Sequence, residues 1–464
     1  MQMKRFALKK RLLQYSAAVT GLLVTFCSGL HFGWTSPYLP VLLGEDSPIP
    51  ITAEESSWVG NMYLLGGVSG SLLLSVIGRL IGRKTLLLWS SVPFCVSWLV
   101  IAFATTLLEL LTGRYIAGFC EGVAFPILVI YLSEISDDEI RGMLCSAITV
   151  SLYLGVMVIN VIGTYMTIKM VSLVCLAIPI LLFVLFFWMP ESPNYLLMKG
   201  KHEEARQSFI ALKGSEDADR KLDVVANAIQ QESLNKAFIS ILKRMNHRKL
   251  LTLVGLRATQ QFSGVVPFNI YAQTVFMESD AFVSPLLGVV IFYAVQIVFS
   301  VLSSLLVDKL GRKPLLIASL IGAICTLLSG GSFFYLRDVT KLDTSLVAFL
   351  PALILIAFTF SYSVGLQTMP TFMAAELFPT NLKAHASSIG AVLFYGLGTV
   401  STKYFQFTKD NYGLFVPFWS FAVCCTIGLV VLVIFMPETK NKTLEDIQIE
   451  LSQGHPHRSC DQKP

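Results

Sequence analysis

Three charged motifs each occur twice in this chain, in the same order, within a sequence that is otherwise mostly apolar. Gly82-Arg83-Lys84 returns as Gly311-Arg312-Lys313, 229 positions on. Glu134, with Arg141 seven residues later, returns as Glu376 with Lys383, the two acids 242 apart. Pro190-Glu191 returns as Pro437-Glu438 after 247 positions. An offset this steady means two copies of one unit, so any fold for the chain must supply corresponding elements twice.

Composition identifies the solvent of that unit. The 464 residues are 54% hydrophobic and 14% charged, with mean hydropathy +0.67, whereas a soluble domain carries about 25% charged residues. No water-soluble core could hide this much apolar surface, so a lipid bilayer must face it. Apolar runs long enough to cross a bilayer, about 20 residues each, fall at 16–36, 57–77, 85–105, 108–132, 143–168 and 170–189, then at 249–276, 282–307, 314–336, 346–374, 384–408 and 414–436. The pattern predicts an all-α membrane protein with twelve transmembrane helices in two six-helix bundles. Residues 1–189 form the first bundle and 249–436 the second, joined by a linker at 190–248 and followed by a tail at 437–464. Charged residues set at matching points of two hydrophobic halves are the mark of repeat-built transporters.

Loop charges orient these spans. The segment between the first two holds Glu45, Asp46, Glu54 and Glu55 without Lys or Arg, while Arg79, Arg83 and Lys84 follow the second span and the 190–248 linker is rich in Lys and Arg. The positive-inside rule then puts both termini and the linker in the cytoplasm of a multi-pass protein, here expected in the plasma membrane. The same rule accounts for the net charge of +5 without a nucleic-acid partner. The basic N-terminus before 16–36 resembles a secretory signal, but the apolar run is too long and lacks a small-residue cleavage site, so it reads as the first span. Two stretches predict short cytoplasmic helices: His202 onward, with Phe209 and Leu212 one turn apart and Gly214 as a stop, and the tail, where Thr443-Leu444-Glu445-Asp446 resembles a capping box. Nine scattered cysteines show no disulfide or zinc spacing, and the Asn441-Lys442-Thr443 sequon lies on the cytoplasmic side. No metal, cofactor or obligate protein partner is called for.

Several side chains stand out against this background. Arg83, Glu134 and Arg141 fall at cytoplasmic span ends, as do Arg312, Glu376 and Lys383 in the second copy, with Glu191 and Glu438 nearby. Each set can form an Arg–carboxylate–basic network that ties helix ends when the inner mouth is closed and separates when it opens, a cytoplasmic gate in an alternating-access cycle. Gln260 and Gln261 place adjacent amides deep in the seventh span. Such groups are costly in lipid unless they bond to a ligand or to another helix. Gly264 and Pro267 would break that span and let its outer part, with Asn269, Tyr271 and Gln273, move. No metal motif, nucleotide loop or catalytic triad accompanies them, so the chain does not read as an enzyme.

Gly113-Arg114, Tyr131-Leu132-Ser133-Glu134, Arg141-Gly142, Pro190-Glu191-Ser192-Pro193, Gln260-Gln261-Phe262-Ser263-Gly264 and Pro437-Glu438-Thr439-Lys440 together resemble the sugar porters of the major facilitator superfamily, over nearly the whole chain. Phe32-Gly33-Trp34-Thr35-Ser36-Pro37, Ser47-Pro48-Ile49-Pro50-Ile51-Thr52 and Ser57-Trp58 resemble the insect facilitated trehalose transporter group within it. The resemblance implies the major facilitator fold, a central sugar site reached alternately from each side, and Gln260 and Gln261 as sugar ligands. It also implies ligand positions at Thr149, Gln296, Thr371 and Phe394, where the family more often has Gln, Asn, Trp and Asn. The family's Asn after Ser263-Gly264 is replaced by Val266. The acid expected before the first Gly-Arg-Lys is Arg79, whereas the second copy keeps Asp308 beside its gate. Proton-coupled relatives carry an Asp where this chain has Thr35, which cannot titrate. His31 and Glu121 are the other titratable candidates, and a pairing of Glu121 with Arg114, seven residues away on the same helix, would be structural. The expectation is facilitative uniport of a sugar, trehalose or a hexose; the alternatives are a proton-coupled symporter, a transporter of another small solute, and a non-transporting sugar sensor.

Overall fold

The computed structural model describes residues 2–78, 80–214, 219–220, 222–223, 226, 247–277, 284–343, 347–371, 373 and 380–436, without the side chains of 2–10, 138–139, 247–249, 308 and 380–385. Arg79, Glu376, Glu438, the side chains of Asp308 and Lys383, and the 443–446 tail signal lie outside these. The described elements are helical, with no strand among them.

Ten helical runs are long and apolar enough to cross a membrane. In the first half these are Arg11–Leu43, Ala53–Ile77, Arg83–Phe103, Leu107–Ile135, Ile140–Tyr165 and Ile168–Phe186; in the second, Pro285–Val307, Arg312–Asp338, Leu350–Thr371 and Phe415–Phe435. The two remaining expected spans are also helical. The seventh is divided into His247–Gln261, Val265–Ile270 and Ala272–Met277, and the eleventh is the longer, more polar helix Thr380–Tyr412. Together they complete the twelve-helix architecture, and they are called spans 1–12 below.

Local chemistry sets the ends. Thr52 and Thr106 open spans 2 and 4 with full capping boxes, each accepting from the backbone of a glutamate (Glu55, Glu109) that reaches back to the cap, which satisfies otherwise orphaned helix N–H groups. The helix His202–Lys213 stops at Gly214, whose φ of 92° suits glycine alone. Three spans break for identifiable reasons. Span 1 turns at Trp34, where Pro37 supplies no N–H to the Gly33 carbonyl, and resumes as Thr35–Leu43. Span 7 breaks at Gly264, φ 87°, one turn before Pro267. Span 10 breaks at Gly365, after Leu350–Val364.

Spans 2 and 4 pack with backbones almost touching. A Cβ at Gly118 or Gly122 would overlap the carbonyls of Tyr63 or Gly67, and one at Gly66 or Gly70 those of Tyr115 or Phe119. The four-residue spacing in both helices is the small-xxx-small device of membrane helix pairs. Between the halves, span 2 lies against span 11 and span 5 against span 8.

The two ends of the bundle differ chemically. At the acidic end, where 44–52 links spans 1 and 2, hydrogen bonds join the halves: Lys403 Nζ donates to Ser57 Oγ, Gln406 Nε2 to the Ala53 carbonyl (3.4 Å), and Gln273 N to Ser36 Oγ (3.2 Å). The Lys403 ammonium also sits 3.8 Å from the Trp58 ring centre. At the basic end, Arg83 Nε lies 3.4 Å from Glu134 Oε2 with both side chains nearly buried. Glu134 also accepts from Ser192 Oγ. Glu191 Oε1 accepts from the backbone N–H groups of Lys84 and Ser192, 2.9 Å each. Arg83 lies over the Tyr195 ring, 5.2 Å from its centre. The first-copy charges thus fasten spans 3 and 4 to the short helix Pro193–Met198. Arg141 is half-buried at the start of span 5; in the second copy Arg312 Nη1 reaches the Val307 carbonyl at 3.5 Å.

Candidate functional site

A small cavity lies between the halves. The first half contributes Phe32, Glu121, Leu152 and Tyr153; the second contributes Val265, Val266, Asn269, Tyr362, Phe394 and Tyr395. Its volume is about 40 Å³, room for water but far below the roughly 300 Å³ at which small-molecule pockets begin. The halves are therefore drawn together around it. Aromatic faces and a few polar groups make up the wall, the composition expected where hydroxyls and a C–H face are held together.

The broken helices deliver the polar groups. The turn at Gly264 puts Val265, Val266 and Asn269 on the cavity; Asn269 Nδ2 donates to the Val265 carbonyl at 2.8 Å, and Oδ1 has no hydrogen-bond partner. Tyr293 of span 8 donates to the Asn269 carbonyl (3.2 Å), anchoring the middle piece of span 7 to its neighbour. A Cβ at Gly264 would overlap the Phe421 ring, so only glycine fits both the space and the φ.

The adjacent amides Gln260 and Gln261 separate in role. Gln260 Nε2 donates to the Leu366 and Gln367 carbonyls (3.2 and 3.1 Å) and lies 3.3 Å from the Tyr362 hydroxyl, while Arg257 Nη1 donates to its Oε1 at 2.8 Å. It satisfies carbonyls freed by the break in span 10, as membrane helix breaks require. Gln261 is fully buried, and neither its Oε1 nor its Nε2 has a hydrogen-bond partner among the described residues; Ser401 and Gly398 of span 11 lie beside it. Gln296 on span 8 is likewise fully buried with both amide atoms unpartnered. Native proteins leave few such atoms without a reason.

The remaining expected positions are spread around this core. Phe394 lines the cavity, with the Arg257 guanidinium 5.9 Å from its ring centre. Thr371, exposed, accepts from Arg257 Nη2 at 3.3 Å, and half-buried Thr149 lies on span 5 outside the lining. Thr35 is fully buried and accepts from Arg114 Nη2 at 2.9 Å. Arg114 also donates to the His31 and Val59 carbonyls and lies over the rings of Trp34 and Tyr63, holding the break in span 1 against spans 2 and 4. No hydrogen bond joins Arg114 to Glu121 among the described residues, so the expected pairing within span 4 is replaced: Arg114 serves span 1, and Glu121 turns to the cavity. His31 stacks on Trp98, ring centres 3.8 Å apart, away from that lining. Arg257 had no motif to announce it; a cation within an apolar span was its only signal.

Comparison with known proteins places this arrangement. The model of the family described as "Sugar (and other) transporter" matches residues 14–451. A facilitated trehalose transporter of Drosophila virilis is 32% identical over 441 residues, covering 94% of this chain and 48% of the relative; one of Culex quinquefasciatus is 31% identical, covering 94% and 85%. The chain therefore spans about half the length of the Drosophila relatives. Among solved structures, the major facilitator proton:xylose symporter XylE, bound to 6-bromo-6-deoxy-D-glucose, superposes with a TM-score of 0.79 at 20% identity, covering 95% of this chain and 99% of that one. The inward-open xylose transporter XylE from E. coli gives 0.78, also at 20% identity, over 94% and 99%. The fold is that of the major facilitator superfamily, and the chain belongs to the sugar transporter family.

Proposed function

We propose that this protein is a facilitative transporter that carries a sugar, trehalose or a hexose, down its gradient by alternating access. The observation that carries the reading is a pair of fully buried amides, Gln261 and Gln296, without a hydrogen-bond partner among the described residues, which lie outside the lining of a cavity walled by Phe32, Tyr153, Tyr362, Phe394 and Tyr395. Amides donate and accept at once, as each sugar hydroxyl requires. Asn269 adds an acceptor on the cavity wall, and Gln260, Thr149 and Thr371 lie in the surrounding shell. The likeness to facilitated trehalose transporters supports the substrate class.

Residues 1–189 and 249–436 are the two bodies that rock about this cavity, with 190–248 as linker and 437–464 as tail. The acidic end faces the extracellular side of the plasma membrane and both termini lie in the cytoplasm. The cytoplasmic gate comprises Arg83, Glu134, Arg141 and Glu191 in the first copy and Asp308, Arg312, Glu376, Lys383 and Glu438 in the second. These networks tie helix ends while the inner mouth is closed and separate when it opens, which requires spans 3 and 4 and the helix Pro193–Met198 to shift within the first half; opening the outer mouth breaks the Lys403, Gln406 and Gln273 contacts. Thr35, engaged with Arg114, cannot titrate at the span 1 position where proton-coupled relatives carry an Asp, which favours uniport. The test is uptake into proteoliposomes of labelled trehalose, glucose and an unrelated solute, with and without a pH gradient. Sugar flux that is independent of the pH gradient supports the reading. Absence of sugar flux overturns it, and accumulation that requires a pH gradient overturns the uniport clause.

A further inference from the structure

Glu121 is the only carboxyl on the described cavity wall. It lies in the middle of span 4, is 5% exposed, and its Oε2 has no hydrogen-bond partner. Tyr63 of span 2 donates instead to the Ser28 carbonyl at 3.0 Å. The buried cations are committed elsewhere. Arg114 donates to Val59, His31 and Thr35. Arg257, in the other half, donates to Gln260 and Thr371 and is not part of the wall. An acid inside a membrane bundle, free at one oxygen and facing the space between the halves, is a functional group unless a partner explains it.

We propose that Glu121 is a ligand of the transported solute and sets its charge class: its free oxygen accepts from solute hydroxyl or ammonium groups, and carboxylated solutes are excluded. This rests on the sugar-transport reading of the cavity. A carboxylate can only accept hydrogen bonds, so it selects donors. An amide wall alone would hold a neutral hydroxyl and a carboxylate with similar ease.

The test is competition against labelled trehalose uptake in proteoliposomes by protonated glucosamine, glucose and glucuronate. In the wild type, glucosamine should compete at least about tenfold more strongly than glucuronate, the scale of a charge-assisted hydrogen bond. Glu121→Gln, which loses a solute acceptor, should take up trehalose with weaker apparent affinity and bring the two competitors within about threefold of each other. Equal competition in the wild type, or an unchanged ratio in Glu121→Gln, overturns the proposal. If the variant does not fold, the wild-type ordering decides. If the wild type moves no trehalose, the sugar-transport reading fails. The charge ordering is then read from thermal stabilisation of the purified protein: stabilisation by glucosamine over glucuronate supports the assignment, and equal stabilisation overturns it.

Discussion

Replacing Lys403 with Gln should bias the protein toward opening at its acidic end. Lys403 reaches from span 11 to span 2, donating to Ser57 Oγ and sitting 3.8 Å from the centre of the Trp58 ring. Both contacts exist only while the halves are closed there. Trp58 is 40% exposed, so the cation–π contact takes the low value for exposed sites, about 0.5–1 kcal/mol. The charge-assisted hydrogen bond, partly open to water, adds about 1 kcal/mol. The sum, roughly 1.5–2 kcal/mol, shifts the closed-to-open equilibrium about 10- to 30-fold. A cysteine at Gln273, buried where span 7 meets Ser36, reports the opening through its rate of modification by a membrane-impermeant maleimide. The rate should rise by about that factor in Lys403→Gln and by less in Trp58→Leu, which loses only the ring. The double variant should fall short of the product of the two, because they share one contact. An unchanged or slower rate in Lys403→Gln would refute the latch.

The other predictions concern the site and the scaffold. Gln261→Leu should weaken apparent sugar affinity about tenfold or more while leaving thermal stability unchanged or raised, since no protein group loses a partner. Gln260→Leu should instead lower stability by about 2–3 kcal/mol in thermal unfolding, because Arg257 and the Leu366 and Gln367 carbonyls lose their partner. Glu134→Gln should loosen Ser192, the cap of the helix Pro193–Met198, from span 4 and Arg83, seen as faster amide exchange over 193–213; unchanged exchange would remove Glu134 as the tie. Gly118→Val should abolish folded protein on gel filtration, because its side chain would displace the Tyr63 carbonyl of span 2.

Much of this architecture was legible because lipid imposes simple rules. Apolar runs of bilayer length, the acidic 45–55 stretch against the basic linker, and Gly264 with Pro267 translate almost directly into helices, ends and a break. The charge motifs were equally readable for the first copy, where Arg83 does meet Glu134. The site was harder, because the direction of a side chain on a broken helix depends on the break. Gln260 and Gln261 are neighbours in sequence and look equivalent, yet one caps the interruption at Gly365 while the other faces Gly398. Glu121 and Arg114 share a helix at a spacing that suggests a pair, but the turn at Trp34 exposes carbonyls that claim the arginine. The close approach of spans 2 and 4 at Gly66, Gly70, Gly118 and Gly122 becomes known only from the packing.

The central claim is that one cavity between two rocking halves serves both sides of the membrane in turn. Counterflow tests it most directly: proteoliposomes are loaded with unlabelled trehalose, diluted into a trace of labelled trehalose, and followed in time without any pH gradient. A uniporter working by alternating access predicts a transient overshoot of label inside, lost when the pre-load is omitted. Label that only climbs to equality with the outside, at the same rate with or without pre-load, would contradict the account.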